Sequence, residues 1–178
     1  RITGGEPLVR QNIMQLFRNL GECDGLRDLT LTTNATQLKK FARPLKDAGV
    51  TRINVSLDTL KPERFREMTR IGDLNKTLDG IDAAIACDFQ QIKLNAVVLR
   101  NHNHDEILDL VNFCIDRSID ISFIEEMPLG QNDHHDRAAS YYSSDQILED
   151  LQQHFELIPS IMTTAGPTRY YQLTGHDN

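Results

Sequence analysis

Short strand-like runs alternate with amphipathic stretches along most of this chain. The helical period of 3.6 residues is visible at Ile13, Leu16, Phe17 and Leu20. Strands separated by helices of this length are typical of βαβ units, so the pattern predicts an α/β fold with a parallel sheet. The predicted strands are Arg1–Thr3, Asp28–Thr33, Arg52–Leu57, Gln91–Leu99 and Asp120–Glu126, and the predicted helices are Val9–Leu20, Thr36–Ala48, Pro62–Met68, Leu74–Ala86 and Asp105–Arg117.

The alternation ends after Pro128. Residues Gly130–Ser140 are predicted to form a polar loop, and Ser143 to Gln146 offers a capping box before a helix at Ile147–His154. Two short runs, Phe155–Ile158 and Arg169–Leu173, are predicted to be antiparallel strands flanking a Gly-Pro turn. The last part of the chain therefore indicates a small β element added to five consecutive β/α units.

Composition and charge exclude several classes of protein. The chain has 178 residues, 39% of them hydrophobic, and a net charge of −7. No apolar run is long enough to span a membrane, and the acidic charge argues against nucleic-acid binding, which needs clustered Lys and Arg. These features predict a cytoplasmic protein with neither nucleic acid nor membrane as a partner.

The cysteines and histidines do not form a metal site in this segment. Cys23, Cys87 and Cys114 are far apart and odd in number, whereas an iron–sulfur or zinc site needs several closely spaced thiolates. Cys87 and Cys114 are interpreted as core residues near helix ends. The six histidines form no metal set, and the pairs His102/His104 and His134/His135 are interpreted as solvated loop residues, so no metal ligand is assigned.

Each predicted strand ends in polar residues. Ligands of parallel β/α proteins gather at the C-terminal ends of the strands, so we expect these segments to form one shared site. Glycines at the end of the first strand also allow a turn that exposes backbone polar groups to a ligand. The segments are Gly4-Gly5-Glu6-Pro7, Thr32-Thr33-Asn34, Asn54-Val55-Ser56-Leu57-Asp58, Lys93-Leu94-Asn95 and Phe123-Ile124-Glu125-Glu126-Met127-Pro128.

This ordered series of motifs resembles the molybdenum cofactor biosynthesis protein A family, the radical S-adenosylmethionine (SAM) enzymes known as GTP 3′,8-cyclases. The resemblance implies an incomplete radical-SAM partial TIM barrel, whereas periodicity alone leaves a doubly wound sheet possible. On this basis, residues 1–130 are predicted to be a barrel core without its first strand and cluster loop. Residues 131–178 are predicted to contain a loop, a helix and short strands that lead toward the C-terminal cluster region.

The resemblance also assigns roles to individual residues. By position, Gly5, Ser56 and Met127 match residues that contact SAM, and the cofactor-binding role of Gly5 rests on its exposed backbone. Met127 has a core methionine as its alternative, and Ser56 and Gly5 have purely structural ones. No catalytic residue is assigned within this chain.

Arg1, Thr32 and Lys93 match the positions that bind GTP in this family. Arginine and lysine suit a triphosphate, which needs cations. Lys93 stands among apolar residues of its strand, where a charge is costly unless it is paired or faces a ligand. The alternative for Lys93 is an exposed lysine at the strand entrance, and Thr32 has a strand-end hydrogen bond as its alternative.

Four polar residues receive a structural interpretation, and three positions depart from the family pattern. Glu6 and Asn54 are expected to hold loops together or to line the pocket, and Glu125 and Glu126 are expected to be structural. Ala35 stands where the family usually has glycine, Ser122 where it usually has arginine, and Cys87 where it usually has glycine. The Ser122 departure removes a cation expected to help bind phosphates.

By resemblance, the full-length enzyme converts GTP to (8S)-3′,8-cyclo-7,8-dihydroguanosine 5′-triphosphate, with SAM and two [4Fe–4S] clusters as cofactors. The cluster ligands are expected before Arg1 and after Asn178, so the isolated chain is expected to be inactive. A homodimer and a functional link to cyclic pyranopterin monophosphate synthase are also implied. The alternatives are a radical-SAM enzyme with another substrate, a lysine-dependent aldolase using Lys93, and a non-catalytic truncated module.

Overall fold

The structure, a computed structural model, describes residues 1–127, 137–161 and 168–175, with only the backbone described at Arg137. Six strands are present in these ranges: β1 (Leu29–Thr33), β2 (Val50–Ser56), β3 (Gln91–Val98), β4 (Asp120–Glu125), β5 (Leu157–Pro159) and β6 (Tyr171–Leu173). The helices are α1 (Ile13–Gly21), α2 (Leu38–Asp47), α3 (Pro62–Thr69), α4 (Leu74–Ile85), α5 (Ile107–Ile115), α6 (Arg137–Ser140) and α7 (Ser144–Gln152), with 3-10 turns at Pro7–Val9 and His104–Glu106.

The described chain divides into two compact units. Unit 1 contains Arg1–Ala96 together with Ile119–Ser122, and unit 2 contains Val97–Ser118 together with the chain from Phe123 onward. The boundary falls inside β3 and inside β4. The sheet that carries most of the strand-end motifs therefore belongs largely to unit 1.

The central sheet confirms the predicted α/β fold. Its strands lie in the order β1-β2-β3-β4, and the β1–β2 and β2–β3 pairs are parallel. Consecutive order with right-handed crossovers places the connecting helices on one face of a sheet. Among the described residues the sheet is open and does not close into a barrel.

The first predicted strand is shorter than expected. Instead of a strand over Arg1–Thr3, only Ile2 pairs with β1, as an isolated parallel bridge to Leu31. The Ile2 amide donates to Thr30 O at 2.7 Å, and the Thr32 amide donates to Ile2 O at 2.9 Å. The direction of pairing agrees with the prediction. The strand stops there because Gly4, with φ of +142°, turns the backbone away.

The two faces of the unit 1 sheet differ in polarity. One face is fully buried and carries Leu31, Ile53, Val55, Leu94 and Ala96, each 0% exposed. Helices α2 and α4 pack against each other, and α2 also contacts β2. The opposite face is polar and partly exposed, which is why β3 alternates between buried and half-buried positions along its whole length. A sheet covered by helices on both faces would have strands that are apolar throughout.

Unit 2 has its own small core. Val98, Ile107, Tyr142 and Ile147 form a buried cluster, with Phe123 and Leu151 packed against it. The predicted capping box is confirmed, because Ser143 Oγ accepts from the Gln146 amide at 3.2 Å and Gln146 Oε1 accepts from the Ser143 amide at 3.1 Å.

Two other predictions for this region have different outcomes. Strands β5 and β6 pair antiparallel, as predicted, over shorter spans. The predicted loop over Gly130–Ser140 is wrong at its end, because Arg137–Ser140 form a short helix. The rest of that loop and the Gly166-Pro167 turn lie outside the described residues.

Candidate functional site

A row of polar residues crosses the exposed face of the unit 1 sheet. Thr32 pairs with Asn54, and Asn54 pairs with Lys93, in the parallel register of β1, β2 and β3. Side chains of paired residues point to the same face, and neighbouring strands lie about 4.8 Å apart. Two residues predicted to bind GTP, Thr32 and Lys93, are therefore held on the same face with Asn54 between them.

The position of Lys93 differs from the expected one in two respects. It is the third residue of β3 rather than a residue at the C-terminal end of that strand. The face of β3 that carries Lys93 is also not apolar. Gln91 and Asn95 lie on this half-buried face, whereas Ile92 and Leu94 lie on the buried face. The register brings Lys93 level with Thr32 because β3 extends beyond the end of β1.

Asn54 is the most buried member of this row. Only 6% of the residue is exposed, whereas Thr32 and Lys93 are half-buried. Among the described residues its side-chain amide forms no hydrogen bond. The sequence predicted that Asn54 holds loops together or lines the pocket, and it did not predict the row that Asn54 forms with Thr32 and Lys93.

The backbone of the Gly4-Gly5 turn is accessible to solvent. A Cβ placed on either glycine would meet no heavy atom within 4 Å, and both residues are exposed. A molecule can therefore approach this backbone closely, which a side chain at either position would hinder.

Glu6 joins this turn to the end of β1. Its Oε1 accepts hydrogen bonds from the Leu8 amide at 2.9 Å and from Thr33 Oγ1 at 2.8 Å. Its Oε2 accepts from the Asn34 amide at 2.6 Å. The expected loop-holding role of Glu6 is thus present in the structure. The motif itself did not reveal two of these partners, because Thr33 and Asn34 lie 27 and 28 residues away.

The loop after β1 is held from the other side by α4. Thr77 Oγ1 donates to Asn34 O at 3.2 Å. Ala35 is fully buried in the left-handed region with φ of 64°, and a Cβ on Gly80 would lie 2.0 Å from Ala35 O. The left-handed backbone explains in physical terms why glycine suits position 35, where this chain has alanine.

The remaining predicted site residues occupy three places. Ser56 is the exposed last residue of β2 and pairs in register with Asn95, on the same face as Asn54. Arg1 is exposed and precedes the Ile2 bridge. Met127 belongs to unit 2, follows β4 and is 61% exposed, so it is not a core methionine. All the other predicted site residues belong to unit 1.

The carboxylates at the end of β4 have partners inside unit 2. Glu125 accepts from the Ser144 amide at 2.6 Å and from Tyr141 Oη at 3.0 Å, and the Ser144 hydrogen bonds lower the pKa of Glu125 from its ordinary value. Glu126 accepts from Ser140 Oγ at 2.9 Å. These contacts suit the structural interpretation, because Glu125 connects β4 to Tyr141 and to the start of α7, and Glu126 connects the residue after β4 to Ser140.

No cluster of metal ligands is found in the part of the chain that the structure describes. Cys23 is exposed, Cys87 is half-buried and Cys114 is buried, and all three are free thiols. The described residues therefore do not fit a [4Fe–4S] cluster. Nor, over the same ranges, is any helix long and apolar enough to cross a membrane.

The model of the radical SAM superfamily matches residues 1–114, which is more than half of the 178 residues. The chain belongs to the radical SAM superfamily. The matched part of this radical SAM chain contains the Gly4-Gly5 turn, the polar row and Ser56.

Individual relatives agree with this family. The chain is 56% identical over 173 residues to a GTP 3′,8-cyclase of Pseudomonas entomophila, with 97% of this chain and 52% of the relative covered. It is 51% identical over 172 residues to a GTP 3′,8-cyclase of Saccharophagus degradans, again with 97% and 52% covered. The radical SAM chain thus spans about half the length of the curated relatives it matches.

A solved structure supports the fold. The structure of TYW1 with a lysine-pyruvate adduct bound superposes with a TM-score of 0.62, covering 88% of this chain and 51% of that one. The sequences are 16% identical, so the likeness concerns the fold of the radical SAM chain alone.

Proposed function

We propose that the full-length protein containing this chain is a GTP 3′,8-cyclase of molybdenum cofactor biosynthesis. The observation that carries the proposal is the 56% identity over 97% of this chain to a protein of that name. The reaction converts GTP to (8S)-3′,8-cyclo-7,8-dihydroguanosine 5′-triphosphate. The proposal assigns this activity to the full-length protein and none to the isolated chain.

In this proposal SAM lies against the Gly4-Gly5 turn. SAM, when bound, supplies the radical chemistry of the reaction, and the protein positions the reactants. The exposed Gly5 backbone offers carbonyl groups to the ammonium of the methionyl group. Ser56 offers a hydroxyl on the same face of the sheet as Asn54. Glu6 keeps the turn beside the end of β1.

GTP lies over the polar row in this proposal. Lys93 supplies a positive charge to the triphosphate and Thr32 a hydroxyl, and both are half-buried in register on one face. Arg1 adds a bidentate cation at the edge of the sheet. Ser122, in unit 1 on β4, stands where an arginine is usual and supplies no charge, so Arg1 and Lys93 take a larger share of the binding.

The wider setting of the protein also belongs to this proposal. The full-length protein holds two [4Fe–4S] clusters with ligands outside this chain, acts as a homodimer in the cytoplasm, and passes its product to a cyclic pyranopterin monophosphate synthase. These statements rest on the family resemblance of the motif series, since the names of the similar proteins state only the activity.

The Lys93→Ala variant of the full-length protein tests the proposed GTP site. Removing one charge-assisted hydrogen bond typically costs about 1.5–3 kcal/mol, or roughly ten- to a hundred-fold in affinity. We expect GTP binding, measured by isothermal titration calorimetry, to weaken by that factor. SAM cleavage without GTP is expected to stay nearly unchanged.

The Ser56→Ala variant is the matched comparison and should show the reverse order, with SAM binding impaired first. Unchanged GTP affinity in Lys93→Ala would remove the lysine from the site. If the full-length protein forms no cyclised product from GTP in the presence of SAM, the proposed activity itself is contradicted.

A further inference from the structure

The side chain of Asn54 is in an unusual position for a polar group. It lies in the middle strand of the β1–β2–β3 sheet with 6% of the residue exposed, between Ile53 and Val55, which face the apolar side and are 0% exposed. The side-chain amide of Asn54 forms no hydrogen bond with any part of the chain that the structure describes. A side-chain amide that is this little exposed and has no partner in the protein has lost most of its contact with water, which destabilises the folded state, so such a residue calls for a functional explanation.

The amide of Asn54 also faces open space. Within the described ranges, no fully buried side-chain nitrogen or oxygen lacks a hydrogen-bond partner. An amide without a partner must therefore keep some contact with solvent. Thr32 on one side and Lys93 on the other occupy the same row, so this contact lies on the polar face of the sheet.

Asparagine differs chemically from its neighbours in the row. Its amide both donates and accepts hydrogen bonds, whereas a lysine ammonium only donates. Phosphate oxygens only accept, so Lys93 suits them and the Asn54 carbonyl does not. A sugar hydroxyl or the edge of a purine offers both donors and acceptors and satisfies the whole amide.

We propose that Asn54 binds the nucleoside portion of a nucleotide and thereby discriminates a nucleotide from a bare polyphosphate. The inference rests on the proposed function, which places GTP on this face. The nucleoside in question is that of GTP rather than that of SAM. Asn54 shares its row with Thr32 and Lys93, while Ser56 belongs to the next row along β2.

The test measures three affinities on the full-length protein with the unmodified sequence and with Asn54→Ala. The probes are GTP, inorganic tripolyphosphate and SAM. Calorimetry, or competition with labelled GTP, measures the binding of each probe. Loss of a nucleoside hydrogen bond typically weakens binding by about ten-fold. We expect that loss for GTP, with the affinities for tripolyphosphate and SAM within about two-fold of the unmodified protein.

Thr30→Val is the matched control. Thr30 lies in β1 two residues before Thr32 and on the same face of the sheet. It is 8% exposed, and its side chain has nearly the same shape as that of valine. We expect its GTP affinity to be unchanged. An equal loss in Thr30→Val would show that general polarity of the face, and not the Asn54 amide, determines binding, and would overturn the inference.

Asn54→Ser serves as a second variant if Asn54→Ala does not fold, since serine keeps one group that donates and accepts. It should lose GTP affinity with tripolyphosphate binding retained. Equal losses for GTP and tripolyphosphate, a loss for SAM alone, or unchanged GTP affinity would each overturn the inference. If the unmodified protein binds no GTP, the proposed function fails instead, which separates the two results.

Discussion

At the scale of single residues, Glu6 shows how one carboxylate connects distant segments. Three donors, the Leu8 amide, the Thr33 hydroxyl and the Asn34 amide, converge on its two oxygens. The donors come from the turn itself and from the end of β1. A carboxylate is suited to this position because it accepts on both oxygens and donates on neither. The Gly4-Gly5 turn therefore has a fixed place beside β1.

Glu6→Gln is expected to destabilise the protein by about 1–2 kcal/mol. Glutamine keeps the shape but replaces one accepting oxygen with an NH2 group, which then faces a donor. Urea unfolding followed by circular dichroism measures the change. Glu22→Gln, at an exposed glutamate that ends α1, is the control and should change stability by less than about 0.5 kcal/mol. Equal stability of the two variants would show that the Glu6 contacts contribute nothing.

At the scale of elements, the contact between α4 and the loop after β1 depends on a glycine at position 80, because glycine has no side chain. Gly80 lies inside α4, where alanine is intrinsically better by about 1 kcal/mol. The backbone of Ala35 approaches so closely that a Cβ at position 80 would lie 2.0 Å from its carbonyl oxygen. The close approach lets Thr77 reach Asn34 O and fixes the loop beside Glu6.

Gly80→Ala is therefore expected to lower the free energy of unfolding by about 2 kcal/mol, because the clash involves backbone and outweighs the gain in helix propensity. Chemical denaturation measures this change. Asn75→Ala, at an exposed position of the same helix, is the control and should be neutral or slightly stabilising. A stabilised Gly80→Ala protein would mean that α4 does not approach the loop this closely.

At the scale of the whole molecule, Tyr142 makes the free energy of unfolding fall as the pH rises in the alkaline range. Burial, followed by the hydrogen bond to Asp150, raises the pKa of Tyr142 from 10.0 to about 12. The unfolded chain then releases its tyrosine proton at lower pH than the folded protein. The stabilisation is complete below pH 10 and is lost between about pH 10 and 12.

Tyr142→Phe should consequently reduce the fall in stability between about pH 10 and 12 that the unmodified protein shows. Urea midpoints measured at several pH values in this range give the slope. Tyr171→Phe, at an exposed tyrosine of β6, is the control and should keep the original slope. Parallel slopes for the unmodified protein and Tyr142→Phe would exclude Tyr142 as the titrating group.

Local patterns predicted most of the secondary structure. Helices α1 to α5 and strands β1 to β6 lie close to their predicted positions, because the 3.6-residue and two-residue periods record which face of each element is buried. The capping box at Ser143 was also readable, since its two partners are three residues apart. The first strand was overestimated because its length depends on where the Gly4 turn stops the pairing with β1.

The sequence by itself determined the α/β alternation, the order of the polar segments and the family, because these follow from periodicity and from motifs in short stretches. Only the tertiary structure decided which residues share a row. Thr32, Asn54 and Lys93 are 22 and 39 residues apart, and the parallel register alone aligns them. The Glu6 contacts and the approach of Gly80 to Ala35 have the same cause, since they depend on packing between distant segments.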